Sequence, residues 1–144
     1  MQPESISRGP TLSSVKALLE DARLPICDLT ESHCEHFFFA GDSTAPAGIA
    51  GLELYGQAAL LRSLVVLPVK RDTGVGTALV EHAERFARDA GVREIYLLTT
   101  TAEAFFLARG YQRARRESAP EAIRSTREFA DICPASSALM MRRL

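Results

Sequence analysis

Apolar residues recur with two different periods along this chain, and the switches between them mark its elements. Leu12, Val15, Leu19 and Ala22 return every three or four residues behind Thr11 and Ser13, either of which can cap, so a first helix is predicted that stops before Leu24-Pro25. A short second helix fits Asp28 to Cys34, and His36-Phe37-Phe38-Phe39-Ala40 is an aromatic run suited to a strand, closed by a turn at Gly41-Asp42-Ser43. Ala47 to Tyr55 and Ala58 to Leu67 read as two strands joined at Gly56-Gln57, the clearest hairpin signal in the chain.

The helical period then returns. Val75, Leu79, Ala83, Phe86, Ala87 and Ala90 share one face, the charges of Glu81, Glu84, Arg85, Arg88 and Asp89 fall largely elsewhere, and Gly91 supplies a terminator. Ile95 to Leu98 is a short apolar strand, Thr101 can cap a helix from Ala102 to Arg109 that Gly110 ends, and Tyr111 to Arg115 follows as a strand. Ser118 with Glu121, and Ser125 with Glu128, have capping-box spacing and predict two helical turns, after which Ala138 to Arg142 forms a last strand. No repeat, low-complexity block or linker divides residues 1–144, so a single α/β (α+β) domain is expected, with a mixed, mostly antiparallel sheet flanked by helices.

Composition narrows the function classes. The 144 residues are 47% hydrophobic and 24% charged with a formal net charge of −1, enough apolar material for a core and no basic excess for nucleic acid. Leu64 to Val69, the longest dense apolar stretch, is far short of the ~20 residues that span a bilayer, and no leader-like h-region opens the chain. Cys27, Cys34 and Cys133 make neither an even disulfide framework nor a metal pair, which fits a reducing, cytoplasmic setting. His33, His36 and His82 lack metal-ligand spacing, and no metal is expected; His82 is expected on the solvated side or flank of its helix. The partner expected is a small molecule.

Candidate chemistry concentrates where the strand ending at Val66-Leu67-Pro68 runs into the turn Lys70-Arg71-Asp72-Thr73-Gly74-Val75-Gly76-Thr77 that opens the strongest helix. Gly74 and Gly76 let backbone N–H groups approach a ligand, the helix start favours an anion, and Lys70 and Arg71 add full charges; the same glycines can also serve a tight turn alone. A P-loop needs Lys-Ser/Thr after its second glycine, where Thr77-Ala78 stand, and a dinucleotide fingerprint needs a third small residue where Leu79 stands. ATP and NAD are therefore not favoured.

This turn resembles the Arg/Gln-x-x-Gly-x-Gly/Ala signature of the GCN5-related N-acetyltransferases, preceded as in that family by the strand-and-proline pattern Leu64 to Pro68. Ile95 to Leu98, the helix Ala102 to Arg109 and Gly110-Tyr111 are similar to the family's later strand, helix and Gly-aromatic pair. Leu61-Arg62-Ser63-Leu64, residues 97–101, Phe105-Phe106 and the tail Phe129 to Ser136 look like the arsenic-resistance subgroup. The resemblance implies a splayed central strand pair and acetyl-CoA, with pyrophosphate on Arg71, Asp72, Thr73, Gly74, Val75, Gly76 and Thr77, and the pantetheine arm beside Leu64, Val65 and Val66. A bulge in that strand would produce the splay. A homodimer is a family expectation.

Acetyl transfer needs a neutral amine, a donor for the tetrahedral oxyanion and a proton for the thiolate. The resemblance implies the Val66 N–H as oxyanion donor, and Glu53 either takes the ammonium proton or stands as a solvated strand carboxylate. Phe106 occupies the place where relatives often carry a tyrosine, so no acid is named; Tyr96 and Tyr111 are expected in the core. Arg62, Thr99, Thr100 and Phe106 are acceptor-side candidates, while Arg62 can equally form a surface salt bridge and the threonines a cap. Arg116 and Arg124 carry the same two readings. The subgroup implies a small anionic amino-acid-like amine of the arsinothricin or phosphinothricin type; a non-catalytic acyl-CoA sensor and a thiol-based arsenite binder are the alternatives.

Overall fold

Thr11 begins the first helix as its spacing predicts: Thr11 Oγ1 accepts from the Ser14 N–H at 3.2 Å, and α1 (Leu12–Asp21) follows. Helices α2 (Glu31–Cys34), α3 (Val75–Asp89), α4 (Glu103–Leu107) and α5 (Glu121–Arg124) are interleaved with seven strands. These are β1 (Ile6–Arg8), β2 (Phe37–Gly41), β3 (Pro46–Tyr55), β4 (Ala58–Val66), β5 (Glu94–Thr99), β6 (Gln112–Arg113) and β7 (Ala138–Arg143). The computed structural model describes residues 5–22, 29–42, 45–71, 73–100, 102–126, 129 and 137–144. Among them no helix is long and apolar enough to cross a membrane.

The strands hydrogen-bond in the order β1-β2-β3-β4-β5-β7-β6, antiparallel except for the parallel pair β4 and β5. This is the mixed, mostly antiparallel single-domain sheet expected from the pattern. The parallel register runs from Ala58 opposite Glu94 to Leu60 opposite Tyr96, although β4 continues to Val66 and β5 to Thr99. Within the domain the residues gather into two compact units, Met1–Glu53 with Leu61–Phe86, and Leu54–Leu60 with Ala87–Leu144.

In the first unit the aromatic run of β2 serves both faces. Phe37 and Phe39 join Val15, Leu18 and Leu19 of α1 with Ile49 and Val65 in one apolar cluster, while Phe38 turns to α3, where it meets the rings of His82 and Phe86 at 5.1 and 5.3 Å. The period of two in a strand places helices on opposite faces without any change of composition. Gly51 is opposite Phe37, and the Phe37 ring fills the space its side chain would need, 2.5 Å from a built Cβ.

In the second unit β5 and β7 pair through six residues, from Glu94 opposite Arg143 to Thr99 opposite Ala138. Ala58, Leu60, Tyr96 and Leu139 pack with Ala119 and Ile123, so the 3₁₀ turn Arg116–Ser118 and α5 are held on that face by apolar burial.

Several boundaries differ from the sequence reading. β1 has no sequence counterpart because three residues with one apolar side chain carry no period; its backbone pairing with Phe38 to Ala40 makes it a strand. The strand predicted over Tyr111 to Arg115 contracts to Gln112–Arg113, since the Tyr111 N–H closes onto the Phe106 carbonyl instead. The first capping box does not form: α5 starts behind Pro120 without a side-chain cap, and Ser118 Oγ donates to the Arg115 carbonyl. Ser125 ends α5 as its C-cap, and the turn predicted beyond it falls on residues outside those described, as do the Thr101 cap and the stop at Leu24-Pro25.

Candidate active site

The strand-to-helix turn is built by a chain of local hydrogen bonds in the first unit. Pro68, with its fixed φ, opens a 3₁₀ turn over Pro68–Lys70 in which the Lys70 N–H reaches the Leu67 carbonyl and the Arg71 N–H reaches the Pro68 carbonyl. Thr73 Oγ1 donates back to the Lys70 carbonyl at 2.5 Å. Gly74 then takes φ +89°, a left-handed conformation that only glycine adopts freely, and its carbonyl accepts the Ala78 N–H as α3 begins. Val75, 4% exposed, anchors the helix start in the core.

The geometry fits an anionic group. Nothing lies within 4 Å of a Cβ built on Gly74, so a ligand can approach the backbone there, and α3 carries no acidic residue in its first turn to oppose the helix dipole. Arg71 is exposed and turns back so that its Nε donates to the Val66 carbonyl at 3.3 Å, tying the cationic loop to the end of β4. Val66 itself is half-buried, and Val65 is buried in the core beneath it. Leu64, Gly76 and Thr77 are half-buried, and Asp72 lies outside the described residues.

Glu53 on β3 and Arg62 on β4 meet. Arg62 Nη1 donates to Glu53 Oε2 at 2.8 Å, with side chains 1% and 15% exposed for arginine and glutamate respectively. Arg62 Nε donates to Ser63 Oγ at 3.1 Å, and Ser63 has φ +59°, the one non-glycine residue in the left-handed region among those described. The left-handed residue of β4 is thus a serine, three residues after the parallel register with β5 ends.

The remaining candidates lie in the second unit. Thr99 Oγ1 accepts from the Ala102 N–H at 2.9 Å just before α4, whose N-cap Ala102 has no side-chain cap, and Thr100 is exposed. Phe106 is 4% exposed, edge-on to Phe105 and Tyr111 with ring centroids at 5.1 and 5.3 Å. Tyr96 is buried and donates to Glu94 Oε2 at 3.3 Å; burial first, then the Glu94 charge and hydrogen bond, push its phenol above the usual range, so it keeps its proton. Both tyrosines are core residues, as expected. Arg116 lies over the Phe129 ring and donates to the Ser137 carbonyl at 3.0 Å.

Among the described residues no three His, Cys, Asp or Glu side chains gather to hold an ion. Cys34 is buried in the first unit, and Cys27 and Cys133 lie outside the described residues. His82 rests on the helix flank rather than in open solvent, and burial, then the Arg85 charge, lower its basicity.

The sequence reading singled out Glu53 and Arg62 for separate tasks and missed their union. Opposite charges on successive strands of a hairpin were the available signal, but only the register decides which of them touch.

Comparison with known proteins bears on this geometry. Residues 7–111 match the model of the acetyltransferase (GNAT) family. An uncharacterized N-acetyltransferase of Chlorobaculum tepidum is 35% identical over 92 residues, covering 63% of this chain and 59% of that protein. An amino-acid acetyltransferase of Ralstonia nicotianae is 40% identical over 58 residues, 40% of this chain and 13% of that protein. The N-acetylglutamate synthase of Neisseria gonorrhoeae, solved with coenzyme A and L-arginine, superposes with a TM-score of 0.83 at 24% identity, over all of this chain and 34% of that one. The chain therefore spans less than two thirds of these relatives, and the last likeness shows a shared fold.

Proposed function

We propose, on the premise that this chain belongs to the acetyltransferase (GNAT) family, that it is an acetyl-CoA-dependent N-acetyltransferase acting on the amine of a small, anionic, amino-acid-like acceptor. One observation supports the reading: Gly74, left-handed and with nothing within 4 Å of a built Cβ, precedes α3 and follows Lys70 and Arg71 in sequence, an arrangement suited to a pyrophosphate. Arg71, Asp72, Thr73, Gly74, Val75, Gly76 and Thr77 would hold that pyrophosphate, and Leu64, Val65 and Val66 the pantetheine arm. Acetyl-CoA, when bound, supplies an activated acyl carbon with a thiolate leaving group.

The chain's own residues then have three tasks. Glu53 Oε takes the proton of the acceptor ammonium, giving the neutral amine whose lone pair forms the new C–N bond. The Val66 N–H would donate to the thioester oxygen on which charge develops as the amine adds to the carbonyl carbon, a charge that passes to sulfur when the C–S bond breaks. Thiolate protonation falls to solvent or to the proton released by the amine, because Phe106 has none to give and Tyr96 holds its own tightly. Thr99, Thr100 and Phe106 are kept as acceptor-side candidates from their place in the sequence.

The names of the amino-acid acetyltransferases among its relatives support an amino-acid acceptor. Arsinic and phosphinic amino acids, whose acetylation would confer resistance, are the finer reading, and it rests on the Leu61 to Leu64, 97–101 and Phe105-Phe106 resemblance. A site working in the cytoplasm on small molecules, without metal or nucleic acid, is part of the same proposal.

The test is release of free CoA thiol from acetyl-CoA with phosphinothricin, an arsenical analogue, glutamate or a polyamine as acceptor. Turnover confined to the first two supports the resistance reading, and turnover on glutamate alone replaces it with ordinary amino-acid acetylation. Tight acetyl-CoA binding without turnover would make the protein an acyl-CoA sensor. Arsenite binding lost on Cys→Ser substitution, without any acetyl-CoA affinity, would point to a thiol-based metalloid binder.

A further inference from the structure

We infer that Arg62 is a positioning residue whose task is to hold the Glu53 carboxylate in place, and that it does not grip the acceptor; this rests on the acetyltransferase reading above. The geometry of the pair carries it. The Arg62 side chain is 1% exposed, so its charge must be answered inside the protein, and Glu53 Oε2 answers it at 2.8 Å. Glu53 keeps 15% exposure, so of the two it is the group with an edge a ligand can reach.

The guanidinium is a rigid planar fork, and it bonds to side chains on different strands. Nη1 reaches Glu53 on β3, and Nε reaches Ser63 Oγ on β4 at 3.1 Å. Ser63 in turn is fixed by its left-handed backbone, φ +59°. The left-handed backbone at Ser63 therefore sets where the hydroxyl stands, the hydroxyl orients the plane of the guanidinium, and the guanidinium limits Glu53 to a narrow range of rotamers. A proton acceptor held this way meets an incoming ammonium without first being ordered.

The opposite assignment conflicts with the charges. An anionic acceptor group bound at Arg62 would share one positive charge with Glu53 and lie beside a second carboxylate, and like charges so placed repel. An acceptor ammonium beside Glu53 meets no such conflict.

The experiment is steady-state kinetics on wild type, Arg62→Met, Arg62→Lys, Glu53→Gln and the double variant Glu53→Gln/Arg62→Met, with acetyl-CoA affinity and thermal unfolding as controls for folding. Loss of positioning should lower kcat of Arg62→Met about 10–100-fold, within what a general base contributes, while the acceptor KM stays within about twofold. The double variant should be no more than about threefold slower than Glu53→Gln, because Arg62 acts through the group already removed. Arg62→Lys should recover part of kcat, since it restores the charge but not the fork.

A rise in acceptor KM at unchanged kcat, or effects that multiply in the double variant, would overturn the inference and leave the acetyltransferase reading standing. Should Arg62→Met fail to fold, the same split between kcat and KM in Arg62→Lys decides. Wild type that binds acetyl-CoA but acetylates no amine would overturn the acetyltransferase reading and this inference with it.

Discussion

Gly48 on β3 stands so close to β4 that a Cβ built on it would lie 2.9 Å from the Val65 carbonyl oxygen, with Leu79 and Val75 of α3 at 3.1 and 3.2 Å. The side chains of α3 can yield a few tenths of an ångström, but a strand carbonyl cannot retreat without disturbing its ladder. Gly48→Ala is therefore expected to cost about 1–3 kcal/mol, the range for overpacking a core. Urea denaturation would show it as a lower midpoint at unchanged slope. Because Val65 and Val75 bracket the proposed cofactor turn, acetyl-CoA affinity should fall as well.

Gly76→Glu separates stability from binding in opposite directions. At the second position of α3 a carboxylate interacts favourably with the helix dipole and replaces a poor helix former, together worth about 0.5–1.5 kcal/mol of added stability. The same charge would stand within the turn proposed for the pyrophosphate. Thermal unfolding should rise by a few degrees at most, while acetyl-CoA affinity measured by calorimetry falls more than about tenfold. A folded variant with unchanged affinity would remove the turn as the cofactor site.

Ser63 predicts a reversed order of preference at one strand position. With φ +59° a β-branched residue is disfavoured, so Ser63→Val should cost about 1–2 kcal/mol although valine is the better strand former elsewhere. Ser63→Gly should be the better tolerated of the two, since glycine adopts this backbone freely. Chemical denaturation of the pair of variants checks the order, and valine more stable than glycine would mean the backbone relaxes out of the left-handed region.

His82 gives a pH dependence whose sign follows from its lowered basicity. The unfolded chain binds a proton at His82 near the ordinary value of 6.5, whereas the folded protein binds it only at lower pH. The stability involved is present above 6.5 and is lost as pH falls through the folded value. His82→Phe keeps an aromatic ring against Phe38 and removes the titration. Its stability should decline less than that of wild type between pH 7.5 and 5, and identical slopes would refute the assignment.

Much of this fold was legible because its signals are local. The cap at Thr11, the amphipathic stripe of α3 and the hairpin at Gly56-Gln57 each require only neighbouring residues, and Gly74 marks a left-handed turn by being the residue that turn needs. β1 was invisible because it exists through backbone pairing with Phe38 to Ala40, to which its own side chains give no clue. Ser63 was invisible for a related reason, as serine carries no mark of a positive φ and the surrounding strand imposes it. The Glu53–Arg62 pair depends on register, a property of two strands together, and so both residues could be named without their contact being foreseen.

The ring of Phe37 seated over Gly51 has a consequence for how the antiparallel pair β2 and β3 finds its alignment. A slip by one residue would press that ring onto the Cβ of Ala50 or Leu52, and would turn every side chain of β2 to the wrong helix. The vacancy at position 51 and the bulk at position 37 work as lock and key for the alignment itself. Neither position is free to change alone: a larger residue at 51 becomes acceptable only with a smaller one at 37.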